Sequence, residues 1–116
     1  MITYTFAGLP VADYAKAYDW YLRVLGRPAD MFPHAREAVW RLTPTGAIYV
    51  VEDAKRAGGG LLTVAVYDLG AVETRLRGEG VAFTEKAAEH APRRLVVEDA
   101  DGNSFAFFED PKQPDS

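Results

Sequence analysis

The chain has 116 residues, with 13 Lys and Arg against 17 Asp and Glu, and no cysteine. Its net charge of −4 leaves too little concentrated positive charge for a nucleic-acid groove, and the missing thiols exclude disulfides and thiolate metal sites. A chain of this size buries roughly two-thirds of its unfolded surface without covalent staples, and its longest apolar stretch falls far short of the ~20 residues that cross a bilayer. With no basic leader in Met1 to Phe6, the expectation is a cytoplasmic protein with neither a nucleic-acid nor a membrane partner.

An extended run from Ile2 to Val11, rich in Thr, Tyr, Phe and Val, opens the chain as a strand. Asp13 reads as a helix N-cap, after which Tyr14, Ala17, Tyr18, Tyr21, Leu22 and Leu25 fall at helical spacing until Gly26 and Pro28 stop the helix. A short extended piece follows near Ala29 to Phe32, then strands Glu37 to Leu42 and Ala47 to Glu52 about a Pro-Thr-Gly turn. The unit reads β-α-β-β-β. The charged, glycine-rich stretch 54–60 is a connector between residues 1–53 and 61–110. Beyond it the spacing predicts a strand Leu61 to Tyr67, a helix capped by Asp68 and closed by Gly78 and Gly80, and strands Val81 to Thr84, Arg94 to Glu98 and Asn103 to Glu109. Residues 111–116 have no apolar anchor and read as a disordered tail.

The second half repeats the first. Val11-Ala12-Asp13-Tyr14 returns 55 residues later as Val66-Tyr67-Asp68-Leu69, and Thr43-Pro44-Thr45-Gly46 returns 56 later as Asp99-Ala100-Asp101-Gly102. Asp13, Asp68, Gly46 and Gly102 each have a sufficient backbone reason to be present, as caps or turn residues. They identify a fold and carry no chemistry.

Taken together, Leu9-Pro10-Val11-x-Asp13, Trp20-Tyr21-x-x-x-Leu25-Gly26, Val66-x-Asp68-Leu69 and Asp99-x-Asp101-Gly102-Asn103 resemble the vicinal oxygen chelate superfamily, which includes glyoxalase I, extradiol dioxygenases and the bleomycin-resistance proteins. The resemblance covers Tyr4 to Glu109 and implies an α+β fold: two β-α-β-β-β modules forming a cupped eight-stranded mixed sheet, helices on the outer face and the ligand in the cup. Enzymes of that superfamily hold a divalent metal through His and Glu on the first, fourth, fifth and eighth strands. Those positions carry over to Phe6, Val50, Leu61 and Ala106, none of which has a donor atom. His34 and His90 read as loop residues, with His34 placed at the rim of the cup. No metal and no other cofactor is expected.

Strand alternation then predicts the lining. With Phe6, Val50, Leu61 and Ala106 turned inward, Tyr4, Ile48, Thr63, Ala65, Ser104 and Phe108 follow, while Leu62, Val64, Val66, Phe105 and Phe107 face the helices. Trp40 faces the helices if the hairpin turn pairs Leu42 with Ala47, and joins Ile48 in the cup if the turn is one residue longer. Phe32 and His34 flank the mouth. The ligand-binding set is therefore Tyr4, Phe6, Phe32, His34, Trp40, Ile48, Val50, Leu61, Thr63 and Phe108, with no catalytic residue assigned.

An aromatic cup in an acidic chain suits a bulky aromatic or cationic guest. The resemblance is nearest in kind to the metal-free bleomycin-resistance proteins, which sequester an antibiotic as homodimers with the binding crevice between chains. The leading expectation is a non-enzymatic binding protein of that type, plausible in antibiotic self-resistance. A metal-independent lyase, isomerase or hydrolase using Tyr4, Glu52, Arg41 or His34 as acid–base groups is the alternative, and a non-catalytic interaction module is the third reading.

Overall fold

The computed structural model describes residues 1–89 and 91–111. The first half consists of β1 (Thr5–Val11), α1 (Tyr14–Leu25), β2 (Met31–His34), β3 (Glu37–Thr43) and β4 (Gly46–Glu52). The second consists of β5 (Leu61–Val66), α2 (Leu69–Gly78), β6 (Thr84–Ala88), β7 (Ala91–Glu98) and β8 (Ser104–Glu109). Each half makes a four-stranded mixed sheet of the same order, β1-β4-β3-β2 and β5-β8-β7-β6. In each the first and last strands pair in parallel and the others antiparallel. The doubled β-α-β-β-β unit is thus present as eight strands and two helices. His90 and the residues 112–116 of the expected tail lie outside the described residues.

Local sequence explains the helix boundaries. The Asp13 carboxylate accepts from the Lys16 amide and Asp68 from the Ala71 amide, satisfying N–H groups that the first helical turn leaves without carbonyl partners. At the far end of α1, Gly26 takes the left-handed conformation (φ 78°) and returns its N–H to Leu22. α2 closes with Gly80 at φ 68° and the Val81 amide reaching back to the Leu76 carbonyl at 2.9 Å. That closure corrects one strand: Val81 is buried as the hydrophobic end of the helix cap, and β6 begins only at Thr84. β1 likewise begins at Thr5, three residues after Ile2.

The helices cover one face of both sheets, and a single apolar cluster draws on both halves. Leu9, Val11, Ala38, Trp40, Ile48 and Val50 meet Ala17, Tyr21 and Val24 of α1, and Leu95, Val97, Phe105 and Phe107 pack with Leu69, Val72 and Leu76 of α2. A buried polar knot ties the halves together. Asp99 accepts from the Tyr21 hydroxyl at 2.8 Å, from the Asn103 side chain at 2.8 Å and from the Asp101 and Asn103 amides. Asn103 in turn donates to the Pro10 carbonyl and accepts from the Gly60 amide, both at 2.7 Å. Burial and the adjacent Asp99 carboxylate push the Tyr21 hydroxyl far above its ordinary pKa, so it stays a donor at every physiological pH. Among the described residues no helix is long and apolar enough to cross a membrane.

Candidate ligand-binding face

The face of each sheet turned away from the helices is laid out by the strand registers. In the first sheet it holds three rows: Phe6 beside Ala47 and Arg41; Gly8 beside Tyr49, Val39 and Met31; Pro10 beside Val51, Glu37 and His34. In the second the rows are Leu61 beside Ser104 and Glu98; Thr63 beside Ala106, Val96 and Thr84; Ala65 beside Phe108, Arg94 and Lys86. Hollows open on these faces among the described residues. One of about 200 Å³ is lined by Gly8, Pro10, Tyr49, Val51, Asp53 and Arg56. Another, of about 270 Å³, is lined by Ala82, Phe83, Thr84, Lys86, Val96 and Glu98.

The expected lining residues divide. Phe6, Leu61, Thr63 and Phe108 stand on these faces, together with Ala65, Ser104 and Ala106. Tyr4 precedes β1 with its ring 4.7 Å from Phe6, and its buried hydroxyl has no hydrogen-bond partner among the described residues. His34 also stands there at the sheet edge, its Nε2 3.1 Å from Glu37. Trp40, Ile48 and Val50 do not. All three are at most 1 % exposed and sit in the core against α1, Trp40 stacking on Tyr18 and donating its indole N–H to the Arg27 carbonyl at 2.9 Å. Phe32 is 56% exposed on the edge strand β2, with its ring 5.6 Å from that of Tyr18 of α1.

The error in β4 has one physical cause. Gly102 lies in the β7–β8 turn at φ 97°, followed by the buried Asn103 before β8 begins at Ser104. Gly46 has no positive φ and is already a strand residue, paired with Thr43 and Thr5. The two glycines match in sequence but are offset by one in structure, so counting four past each lands on opposite faces. β3 also slips register between Arg41 and Thr43, which pairs Trp40 with Ile48 while turning both to the helices.

Tyr49 takes the place assigned to Val50. Its ring lies over Gly8, where an added Cβ would come within 2.5 Å of its Cζ. A glycine in a strand interior often marks such a close approach, and Gly8 was the signal in the sequence that a large neighbour covers β1 at this level. Arg41 is fixed on the same face by Asp30, whose carboxylate accepts the Arg41 amide at 2.6 Å and the Arg27 guanidinium at 2.9 Å. These two bonds, the amide first, hold the Asp30 carboxyl below the usual carboxylate range.

The donor set does not fit a metal. Phe6, Leu61 and Ala106 face the cup without donor atoms, Val50 faces the core, and its neighbours on the cup side are Tyr49 and Val51. Among the described residues no three His, Asp or Glu side chains gather as a cation site. The acid–base candidates do not converge either. Glu52 is held at the start of α1, accepting the Tyr14 amide and pairing with Arg36 at 2.7 Å, while Arg41 and His34 stand in different rows.

Residues 3–107 match the family model of the Glyoxalase/Bleomycin resistance protein/Dioxygenase superfamily. A glyoxalase/bleomycin resistance protein from Catenulispora acidiphila is 36% identical, covering 91% of this chain and 96% of its own, with a TM-score of 0.87. TnmS3, an antibiotic binding protein from Streptomyces sp. CB03234, shares the fold at 22% identity and a TM-score of 0.72, covering 91% and 93% of the two chains. A lactoylglutathione lyase from Agrobacterium tumefaciens does so at 15% identity and 0.73, covering 90% and 91%. No curated protein sequence matches the chain.

Proposed function

Because the chain belongs to the Glyoxalase/Bleomycin resistance protein/Dioxygenase superfamily, and because its cup positions carry aromatic and small side chains where a metal would need donors, we propose that it is a metal-free binding protein. Its guest is a bulky aromatic natural product, and sequestration of an antibiotic is its role. The antibiotic-binding relative of the same fold agrees with this reading. The observation that carries it is the cup face itself. Phe6, Tyr49 and Phe108 put aromatic side chains on this face for a flat guest, while Ala47, Ala65 and Ala106 leave room for it.

One four-stranded sheet encloses nothing alone. Phe6 is 58% exposed and Leu61 86% exposed, although both are apolar and both lie on edge strands, β1 and β5, of their sheets. Such edges with bare apolar side chains call for a partner. A homodimer that sets β1 of one copy beside β5 of the other covers both residues and closes a cup from the first sheet of one chain and the second sheet of its partner.

The test is calorimetric titration of chelator-treated protein with a tricyclic aromatic such as anthracene-2-carboxylate. Both tryptophans pack on the helix side, so heat is a more direct readout than their fluorescence. We expect saturable binding of one guest per chain, unchanged by added divalent metal. Gly8→Val should weaken it at least tenfold, because the new side chain drives the Tyr49 ring into the cup. Binding that appears only when a divalent metal is supplied would overturn the reading.

A further inference from the structure

The hollow on the first sheet is complete within one chain. Alternation along β4 brings Tyr49, Val51 and, one residue past the strand, Asp53 to the cup face, with Gly8 and Pro10 of β1 beside them. The Asp53 amide bonds to the Val11 carbonyl at 2.9 Å and the Arg56 amide to the Asp53 carbonyl at 3.2 Å, a turn that returns Arg56 to the rim. Together these residues enclose about 200 Å³. That is less than the roughly 300–1,000 Å³ that holds a whole drug-sized ligand, and it suits one ring of a larger guest.

Its floor and wall are apolar, and its rim is not. Pro10 and Val51 are half-buried, and the half-buried Tyr49 ring stands over the bare Gly8. At the rim the Asp53 carboxylate and the Arg56 guanidinium are 3.9 Å apart, beyond hydrogen-bond reach, with side chains 37% and 83% exposed. Among the described residues the Asp53 carboxylate accepts no hydrogen bond, so a partly buried acceptor stands open beside an apolar slot. Its neighbour Glu52 is by contrast committed, to Arg36 at 2.7 Å and to the Tyr14 amide. The loose couple at the rim selects against ions. An ammonium group drawn to Asp53 meets the Arg56 cation close by, and a carboxylate drawn to Arg56 meets Asp53. A neutral donor meets neither penalty.

We infer that this hollow takes a hydroxyl-bearing ring of the guest, a neutral phenol, whose O–H donates to the Asp53 carboxylate. The ring lies against Tyr49, and the planar Arg56 guanidinium folds over its other face, where an electron-rich ring attracts a cation. A hydrogen bond from a hydroxyl to an ionised carboxylate is about twice as strong as one between neutral groups, so the hydroxyl sets both the affinity and the end by which the guest enters. The inference rests on the aromatic-binding reading. It involves one sheet of one chain and stands whether or not the cup is shared between copies.

Three probes of one ring system separate the two levels: 2-hydroxyanthracene, its methyl ether and anthracene-2-carboxylate, titrated calorimetrically at pH 7, where a phenol of pKa about 10 is neutral. The phenol is expected to bind at least tenfold tighter than either of the others. Asp53→Ala, which removes the acceptor, should bring phenol and ether to equal affinity. The comparison in the parent protein needs no variant and decides alone if Asp53→Ala does not fold. If the ether or the carboxylate matches the phenol in the parent protein, or Asp53→Ala keeps the phenol's advantage, the inference is overturned while aromatic binding stands. If none of the three binds, the underlying functional reading is overturned and this inference with it.

Discussion

Trp40→Ala will cost about 3–5 kcal/mol of folding stability, the range for removing a fully buried large aromatic, and in a chain of this size that lowers the melting temperature by roughly 12–20 °C. The expectation follows from its place. Trp40 is 0% exposed, stacked 5.5 Å from Tyr18 and within 6.3 Å of Tyr21, and its indole N–H occupies the Arg27 carbonyl just past the end of α1. Truncation opens a cavity between β3 and α1 and leaves that carbonyl without its donor. Thr63→Ala, on the exposed cup face of β5, is the control and should move stability by less than about 0.5 kcal/mol. Thermal and denaturant melts of the two variants check the placement. Equal, small effects would mean that Trp40 lines the cup after all.

Asp99→Ala is expected to cost about 3 kcal/mol or more, since it strips the shared acceptor from one hydroxyl, one side-chain amide and two backbone amides at once. Two features amplify the loss. The knot is buried, so water does not readily replace the carboxylate, and Asn103 also holds Pro10 and Gly60, so disorder at Asn103 reaches the join between the halves. Tyr21→Phe removes only the hydroxyl and should cost about 1–2 kcal/mol. In a double-mutant cycle the two changes should be clearly non-additive, because Tyr21→Phe loses little once Asp99 is gone. Additive effects would show that the 2.8 Å hydroxyl contact contributes nothing to the join.

Much of the fold was legible because its signals are local. A capping Asp, a left-handed Gly and apolar residues at helical spacing fixed both helices, and the repeat of those signals gave the doubled unit. The site was legible only where one strand could be read alone. Alternation in β5 and β8 separates Leu61, Thr63, Ala106 and Phe108 from Leu62, Val64, Phe105 and Phe107 without reference to a neighbour. β4 depended instead on aligning Gly46 with Gly102, and a turn that differs by one residue inverts the whole strand. Trp40 depended on a hairpin register that slips between Arg41 and Thr43. Tyr49 was missed for the same reason as Val50 was chosen. The bare backbone of Gly8, in the strand beside it, is the part of the sequence that records its true side.

A cup shared between two copies is tested most directly by mixing two disabled chains. Gly8→Val blocks the half of the cup supplied by the first sheet, and Thr63→Glu puts a carboxylate into the half supplied by the second. Each variant alone should lose binding of anthracene-2-carboxylate. When the two are mixed and allowed to exchange subunits, every mixed dimer holds one cup with both lesions and one with neither. Calorimetry should then recover parent-like affinity at about one site per mixed dimer. If the mixture binds no better than either variant alone while mixed dimers form, each chain builds its cup from its own two sheets and the shared cup is wrong.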